Sequence, residues 1–264
     1  MAGSRGKRSG TVVTVFAAKG GCGKTTFATN LAIALHANGA RRTCLVDLDL
    51  NFGDLAATLT LQPHRALADS LPLSQRAVWS HTSIATYRPG LDCVLAPVRP
   101  GAAERIPATQ VRALLTLLPT LYEYVVIDTP AQLSTHVLAA FDYSHHHVLL
   151  TTPERPALKN LRNTLDMLDL LAFGQTSRSI VVNRANGHAG ITAEDIDGVV
   201  RNPIAAYLPS TWELSASVNR GVPLAESAPG HPFSLAVRRF ADTRIRGGEV
   251  VAVNQETGRE PPPG

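Results

Sequence analysis

The sequence predicts an α/β fold: a mainly parallel twisted sheet flanked by helices on both faces. Three observations predict it. Short apolar runs rich in β-branched residues recur along the 264-residue chain and read as buried strands. Segments with apolar residues at helical spacing separate these runs. A glycine-rich loop joins the first run to the first helix, and two later runs end in aspartate, the pattern of a ligand edge in an open parallel sheet.

Residues 11–16, TVVTVF, form the first predicted strand. The loop that follows carries Gly20, Gly21, Cys22, Gly23, Lys24, Thr25 and Thr26. Its glycines permit backbone shapes that a Cβ obstructs, so successive N–H groups can close on an anion. Lys24 supplies a point charge for phosphate and Thr25 a hydroxyl for Mg²⁺. A helix over residues 25–37 aims its N-terminal dipole at the same phosphates and stops at Asn38-Gly39. The usual loop pattern, G-x-x-x-x-G-K-[ST], is not met, because Ala18 stands where its first glycine belongs.

Residues 43–48 form the second strand, and alternation places Asp47 and Asp49 on one side of its C-terminal edge. The plain alternative, an aspartate that only caps the next turn, suits Asp47 better than Asp49. Residues 50–82 read as short helices broken at Pro63 and Pro72, with Leu67, Leu71 and Leu73 along one face. Strands follow at 83–87 and 91–96 around the turn Arg88-Pro89-Gly90. A helix over 107–118 ends at Pro119. Residues 124–127 are a buried strand with Asp128 at its end, placed to hold a Mg²⁺-bound water.

A helix spans 134–141. His145, His146 and His147 alternate in direction, so they do not converge on one metal and serve as a polar entry to the strand 147–151. Thr151 with Glu154 fits a capping box and Pro153 a first turn. The helix that follows carries a core stripe of Leu158, Leu161, Leu165, Leu168 and Leu171. A strand over 179–183 ends at Asn183-Arg184, whose asparagine amide offers the donors and acceptor that a purine edge needs, or else serves a turn. The last strand, 206–210, brings Pro209 alongside. Helices over 212–219 and 231–240 complete the domain, with a turn at Arg220-Gly221-Val222-Pro223 between them.

Composition narrows the class. The net charge is +4, but Arg5, Lys7 and Arg8 supply three of the 25 basic residues, and the remainder nearly balances 21 acidic ones. The expected organisation is a basic, disordered arm at 1–10, one domain at 11–246 and a flexible tail at 247–264. The N-terminus has no signal-peptide apolar region, and no apolar run reaches the ~18 residues a bilayer requires. The three cysteines, Cys22, Cys44 and Cys93, have no zinc spacing. Cys44 and Cys93 read as buried hydrophobes, and Cys22 as an alkylatable loop residue.

Residues 19–26, KGGCGKTT, follow the form K-G-G-x-G-K-[ST]-T, with Lys19 as a second lysine before the glycines. In this they resemble the MinD/ParA family of deviant Walker A ATPases, P-loop NTPases of the SIMIBI type. The resemblance covers about residues 11–240 and implies a seven- or eight-stranded sheet. It implies a slow, partner-stimulated ATPase that uses ATP and Mg²⁺ and forms a homodimer in the ATP state. Lys19 would then reach the partner's phosphates, and Gly20 to Thr26 would hold the chain's own nucleotide. Thr25 would bind Mg²⁺ with Asp128 in its outer shell, and Asp49 would place the attacking water. Asn183 would meet the adenine edge, with Arg184 and Pro209 beside it. The resemblance also implies a bacterial cytoplasmic protein.

Four stretches, LDLNFGDL (48–55), PALKNLR (156–162), SVNRGVPL (217–224) and APGHPFS (228–234), resemble the CpaE/TadZ branch. That implies a role in localising tight-adherence pilus or secretion machinery, with polarity proteins as partners and recruitment to a pole or inner-membrane apparatus. The branch's usual receiver-like domain is not seen ahead of Thr11. Two alternatives stand beside it. One is a ParA-like partition ATPase binding nonspecific DNA through Arg238, Arg239, Arg244 and Arg246. The other is a MinD-like septum-site regulator acting as a binding switch. Residues 247–264 show no apolar stripe, so no direct membrane anchor is expected.

Overall fold

The structure is a computed structural model that describes residues 9–62, 65–66, 83–97, 101, 103–173, 178–185 and 190–247. The expected helical face at Leu67, Leu71 and Leu73, the breaks at Pro63 and Pro72, and most of both termini lie outside the described residues.

Nine strands make one sheet in the order β3-β4-β5-β2-β6-β1-β7-β8-β9. They are β1 (Thr11–Phe16), β2 (Thr43–Asp47), β3 (Arg65–Ala66), β4 (Ser83–Arg88), β5 (Leu91–Leu95), β6 (Tyr124–Asp128), β7 (His146–Thr151), β8 (Arg178–Val182) and β9 (Ile204–Tyr207). All pairings are parallel except those that β4 makes with β3 and β5. The sheet is therefore mainly parallel, as expected, and one strand wider than the upper expectation because of the two-residue β3.

β1 lies between β6 and β7, with both faces covered. Val13 and Val15 point into one core, with α1 (Lys24–His36) and α9 (Pro232–Phe240). Val12 and Phe16 point the other way, towards α3 (Ala108–Leu121), α4 (Thr135–Tyr143) and α5 (Arg155–Leu170). The short helix α2 (Leu55–Thr58) follows β2, and α6 (Ala193–Val200), α7 (Trp212–Asn219) and α8 (Leu224–Ser227) fill the return to α9. Among the described residues no helix is long and apolar enough to cross a membrane.

Several local expectations change. Pro119 lies inside α3 rather than ending it. Near a C-terminus the missing proline N–H costs one helix bond, and the Pro119 carbonyl accepts instead from Gly10 N–H at 2.8 Å. Gly10 thereby belongs to the fold, not to the arm. A Cβ on it would lie 2.0 Å from the Tyr122 carbonyl oxygen. Leu158, Leu161, Leu165 and Leu168 are buried, but Leu171, just past the last turn, is half exposed. The helix α6 was not foreseen, although Thr192 and Asp195 form its capping box. The three histidines do part company. His145 Nδ1 accepts from Val12 N–H, His146 Nε2 meets Ser179 Oγ, and His147 Nε2 meets the Phe141 carbonyl.

Candidate nucleotide site

The site forms along the C-terminal edges of β1, β2, β6, β7 and β8, where each chemical residue stands at or just past a strand end. The loop between β1 and α1 takes a shape that glycine alone adopts freely. Gly21 has φ 76° and Gly23 has φ 91°, both in the left-handed region. Gly23 is the N-cap of α1, so the helix N-terminus opens directly onto the loop.

Thr25, in the first turn of α1, donates its hydroxyl to Asp128 Oδ2 at the end of β6. The other oxygen, Asp128 Oδ1, is buried with no hydrogen-bond partner. Burial pushes the Asp128 carboxyl up to about 7, against the Thr25 hydrogen bond and the nearby Lys24 charge. An orphaned carboxylate oxygen beside a threonine hydroxyl offers hard oxygen donors that fit Mg²⁺. Among the described residues no cluster of three His, Cys, Asp or Glu could hold a metal by itself.

The two aspartates at the end of β2 and just past it divide their tasks. The strand ends at Asp47, and the chain turns just past Asp49, at residues 50–52. Asp47 is buried, and its two oxygens accept the backbone N–H groups of Asp49 and Leu55, both at 3.2 Å. It therefore anchors the whole loop from Leu48 to Leu55, the capping role that suited it. Gly53 is required there, because a Cβ would lie 2.3 Å from Asp47 Oδ2. Burial first, then the facing Asp128, pushes the Asp47 carboxyl up to about 8. Asp49 is half-buried and accepts Phe52 N–H at 3.2 Å. Phe52 itself is 82% exposed at the rim.

Lys19 forms an ion pair with Glu154, across 135 positions of sequence. This replaces the expected capping box. Glu154 is the N-cap of α5 with no side-chain cap, Thr151 stays in β7, and the proline of the first turn is Pro156 rather than Pro153. No local pattern marks Glu154 as a site residue, since its partner comes from the far end of the chain.

Asn183 follows β8 and is 5% exposed. Its Nδ2 donates to the Cys22 carbonyl at 2.9 Å, and its Oδ1 accepts Arg184 N–H at 3.0 Å. Arg184 Nη2 donates to the Gly21 carbonyl at 3.1 Å. Gly23, Thr26, Asn183, Arg184, Thr211 and Leu214 line a cleft beside the loop. Pro209 precedes the segment that lines it. Cys22 is buried, and burial pushes its thiol up, so it is not the accessible loop residue that was expected.

The family model described as the CobQ/CobB/MinD/ParA nucleotide binding domain matches residues 13–224. The septum site-determining protein MinD of Thermotoga maritima is 26% identical over 222 residues, which is 82% of this chain and 81% of that protein. MinD of Pyrococcus horikoshii, solved as a complex with Mg-ADP, superimposes with a TM-score of 0.76 at 20% identity, covering 91% of this chain and 98% of that one. A ParA family ATPase of Chlorobium tepidum gives a TM-score of 0.78 at 24% identity, covering 88% and 98%.

Proposed function

The chain belongs to the CobQ/CobB/MinD/ParA nucleotide-binding family, and from that premise we propose that it is a Mg²⁺-dependent ATPase that works as a dimerisation switch, of the septum-site type. The observation that carries the reading is the contact of Thr25 with Asp128, whose second oxygen is orphaned, at the mouth of the glycine loop. Backbone amides of residues 20–26 and Lys24 bind the phosphates. Thr25 and Asp128 hold Mg²⁺, which when bound neutralises phosphate charge. Asp49 orients the attacking water on the loop that Asp47 anchors. The cleft beside Asn183 receives the base. Lys19 leaves Glu154 to reach the phosphates of a second copy, so ATP favours the dimer and hydrolysis releases it.

The likeness to MinD supports positioning of a division site over the pilus role. The pilus-assembly reading rests on the four sequence stretches alone. A DNA-binding reading retains Arg238, Arg239 and Arg244, which are exposed. Arg246 is committed to Asp242 and to the Ala34 and Leu35 carbonyls at the end of α1. The test is ATP titration with light scattering. Wild type should bind ATP and dimerise, Lys24→Ala should bind none, and Lys19→Ala should bind ATP but stay monomeric. A Lys19→Ala dimer as strong as wild type rejects the trans-lysine role. DNA co-sedimentation in ATP, abolished by charge reversal at Arg238 and Arg239, would favour the partition reading instead.

A further inference from the structure

Asn183 and Arg184 are placed to do more than line the cleft for a base. We propose that they are positioning residues that hold the phosphate loop open for the triphosphate, by pinning its carbonyls outward. The inference rests on the nucleotide-binding reading and deepens it.

Two consecutive peptide units of the loop are fastened at their oxygens. The Gly21 carbonyl is held by Arg184 Nη2 at 3.1 Å, and the Cys22 carbonyl by Asn183 Nδ2 at 2.9 Å. A peptide unit is planar and trans, so its N–H points opposite to its C=O. Holding the Gly21 oxygen therefore fixes the direction of Cys22 N–H, and holding the Cys22 oxygen fixes that of Gly23 N–H. Both donors are turned away from Asn183 and Arg184, in the direction from which the loop can close on an anion. A loop whose carbonyls could swing inward would present like charge to phosphate.

The clamp is itself rigid. Asn183 N–H bonds the Thr151 carbonyl at 2.8 Å, tying the residue to β7. Its Oδ1 takes Arg184 N–H, and Arg184 sits at φ 57°, an uncommon backbone state for a residue with a side chain. Ala185 N–H then bonds the Leu208 carbonyl at 2.8 Å, fixing the far side of the turn. The fit to the loop is tight. A Cβ on Gly23 would stand 2.6 Å from Asn183 Nδ2, so glycine and asparagine are matched across 160 positions. With one amide hydrogen on Cys22 and one lone pair on Arg184, half of the Asn183 amide's capacity is already used.

The test separates triphosphate from base. ATP, GTP and ribose 5-triphosphate are titrated calorimetrically into wild type, Asn183→Ala, Asn183→Asp, Arg184→Ala and Lys24→Ala, each checked for folding by circular dichroism. Asn183→Ala should weaken all three ligands by one common factor of about tenfold, the effect of one buried hydrogen bond, leaving the ATP-to-GTP ratio unchanged. Asn183→Asp, which sets an acceptor against the Cys22 carbonyl, should be at least as damaging. Arg184→Ala, an exposed contact, should give a smaller common loss. Amide exchange of residues 20–24 in nucleotide-free protein should quicken in Asn183→Ala, and this readout stands even if one variant binds too weakly to titrate. A loss confined to ATP, with ribose 5-triphosphate unchanged, makes Asn183 a base reader and overturns the proposal. So does an unchanged affinity for all three. If wild type binds none of them, or if Lys24→Ala binds as wild type does, the nucleotide-binding reading fails instead.

Discussion

Lys19 and Glu154 are paired within one chain, at the rim of the site and partly open to solvent. The lysine assigned to the partner's nucleotide is therefore held at home by the residue that starts α5. On the proposed trans role of Lys19, dimerisation would break this pair, and the pair would set part of the threshold for the switch. An exposed pair is screened by solvent, so it shifts an equilibrium constant by only about fivefold at most.

Glu154→Ala is accordingly expected to lower the protein concentration at which the ATP dimer forms, by up to about fivefold. Sedimentation equilibrium in ATP, with Asp49→Ala present in both proteins to slow hydrolysis, measures it. A weaker dimer would show that Glu154 itself serves across the interface.

The pairing of Asp47 with Asp128 in adjacent parallel strands gives a pH dependence. Both carboxyls stand above their ordinary value of 3.8, raised chiefly by burial, to about 8 and about 7. Their protonated forms are the ones the fold favours. That stabilisation is complete below about pH 4 and is lost as pH rises through 7 and 8. Without Mg²⁺ or nucleotide, the melting temperature should fall between pH 6 and pH 9. Asp47→Asn should flatten that slope, and a slope equal to wild type would contradict the assignment.

Asn30 ties α1 to the C-terminal part of the chain. Its Nδ2 donates to the Thr26 carbonyl and its Oδ1 accepts Ala225 N–H, both at 2.7 Å and out of solvent. Asn30→Ala leaves the Ala225 N–H unsatisfied, so urea unfolding should show a loss of about 1–3 kcal/mol. A loss below 0.5 kcal/mol, on the order of a surface substitution, would mean that α8 is not anchored through this residue.

All three cysteines are buried, and burial raises each thiol. The native protein should therefore alkylate with iodoacetamide at pH 8 at least about tenfold more slowly than the chain in guanidinium. Fast modification of Cys22 in native protein, mapped by mass spectrometry, would show that the loop opens in solution.

Much of the fold was legible because it is written locally. Strand runs such as 11–16 and 124–128 are apolar on both faces, and only a sheet covered on both sides accommodates that. Gly20, Gly21 and Gly23 announce a loop whose geometry a Cβ would spoil, and Gly21 and Gly23 indeed take positive φ. The helix α6 escaped because it is short and mostly exposed, so its apolar stripe is reduced to Ile196 and Val200. The helix expected to end at Pro119 ran on because its last turn gains a contact from Gly10, 109 positions away.

By itself, then, the sequence determined the parallel α/β sheet, the phosphate loop, the second lysine and the acidic strand ends. These depend on side-chain periodicity and on glycine's backbone freedom, which act over a few residues. Only the tertiary structure decided what those residues do to each other. It turned Asp47 inward as the anchor of its loop, left one oxygen of Asp128 without a partner, gave Lys19 to Glu154 and set Asn183 and Arg184 against the loop's carbonyls. Each of these is a contact between strand ends far apart in the chain. The order of strands in the sheet brings those ends together, and no local pattern encodes that order.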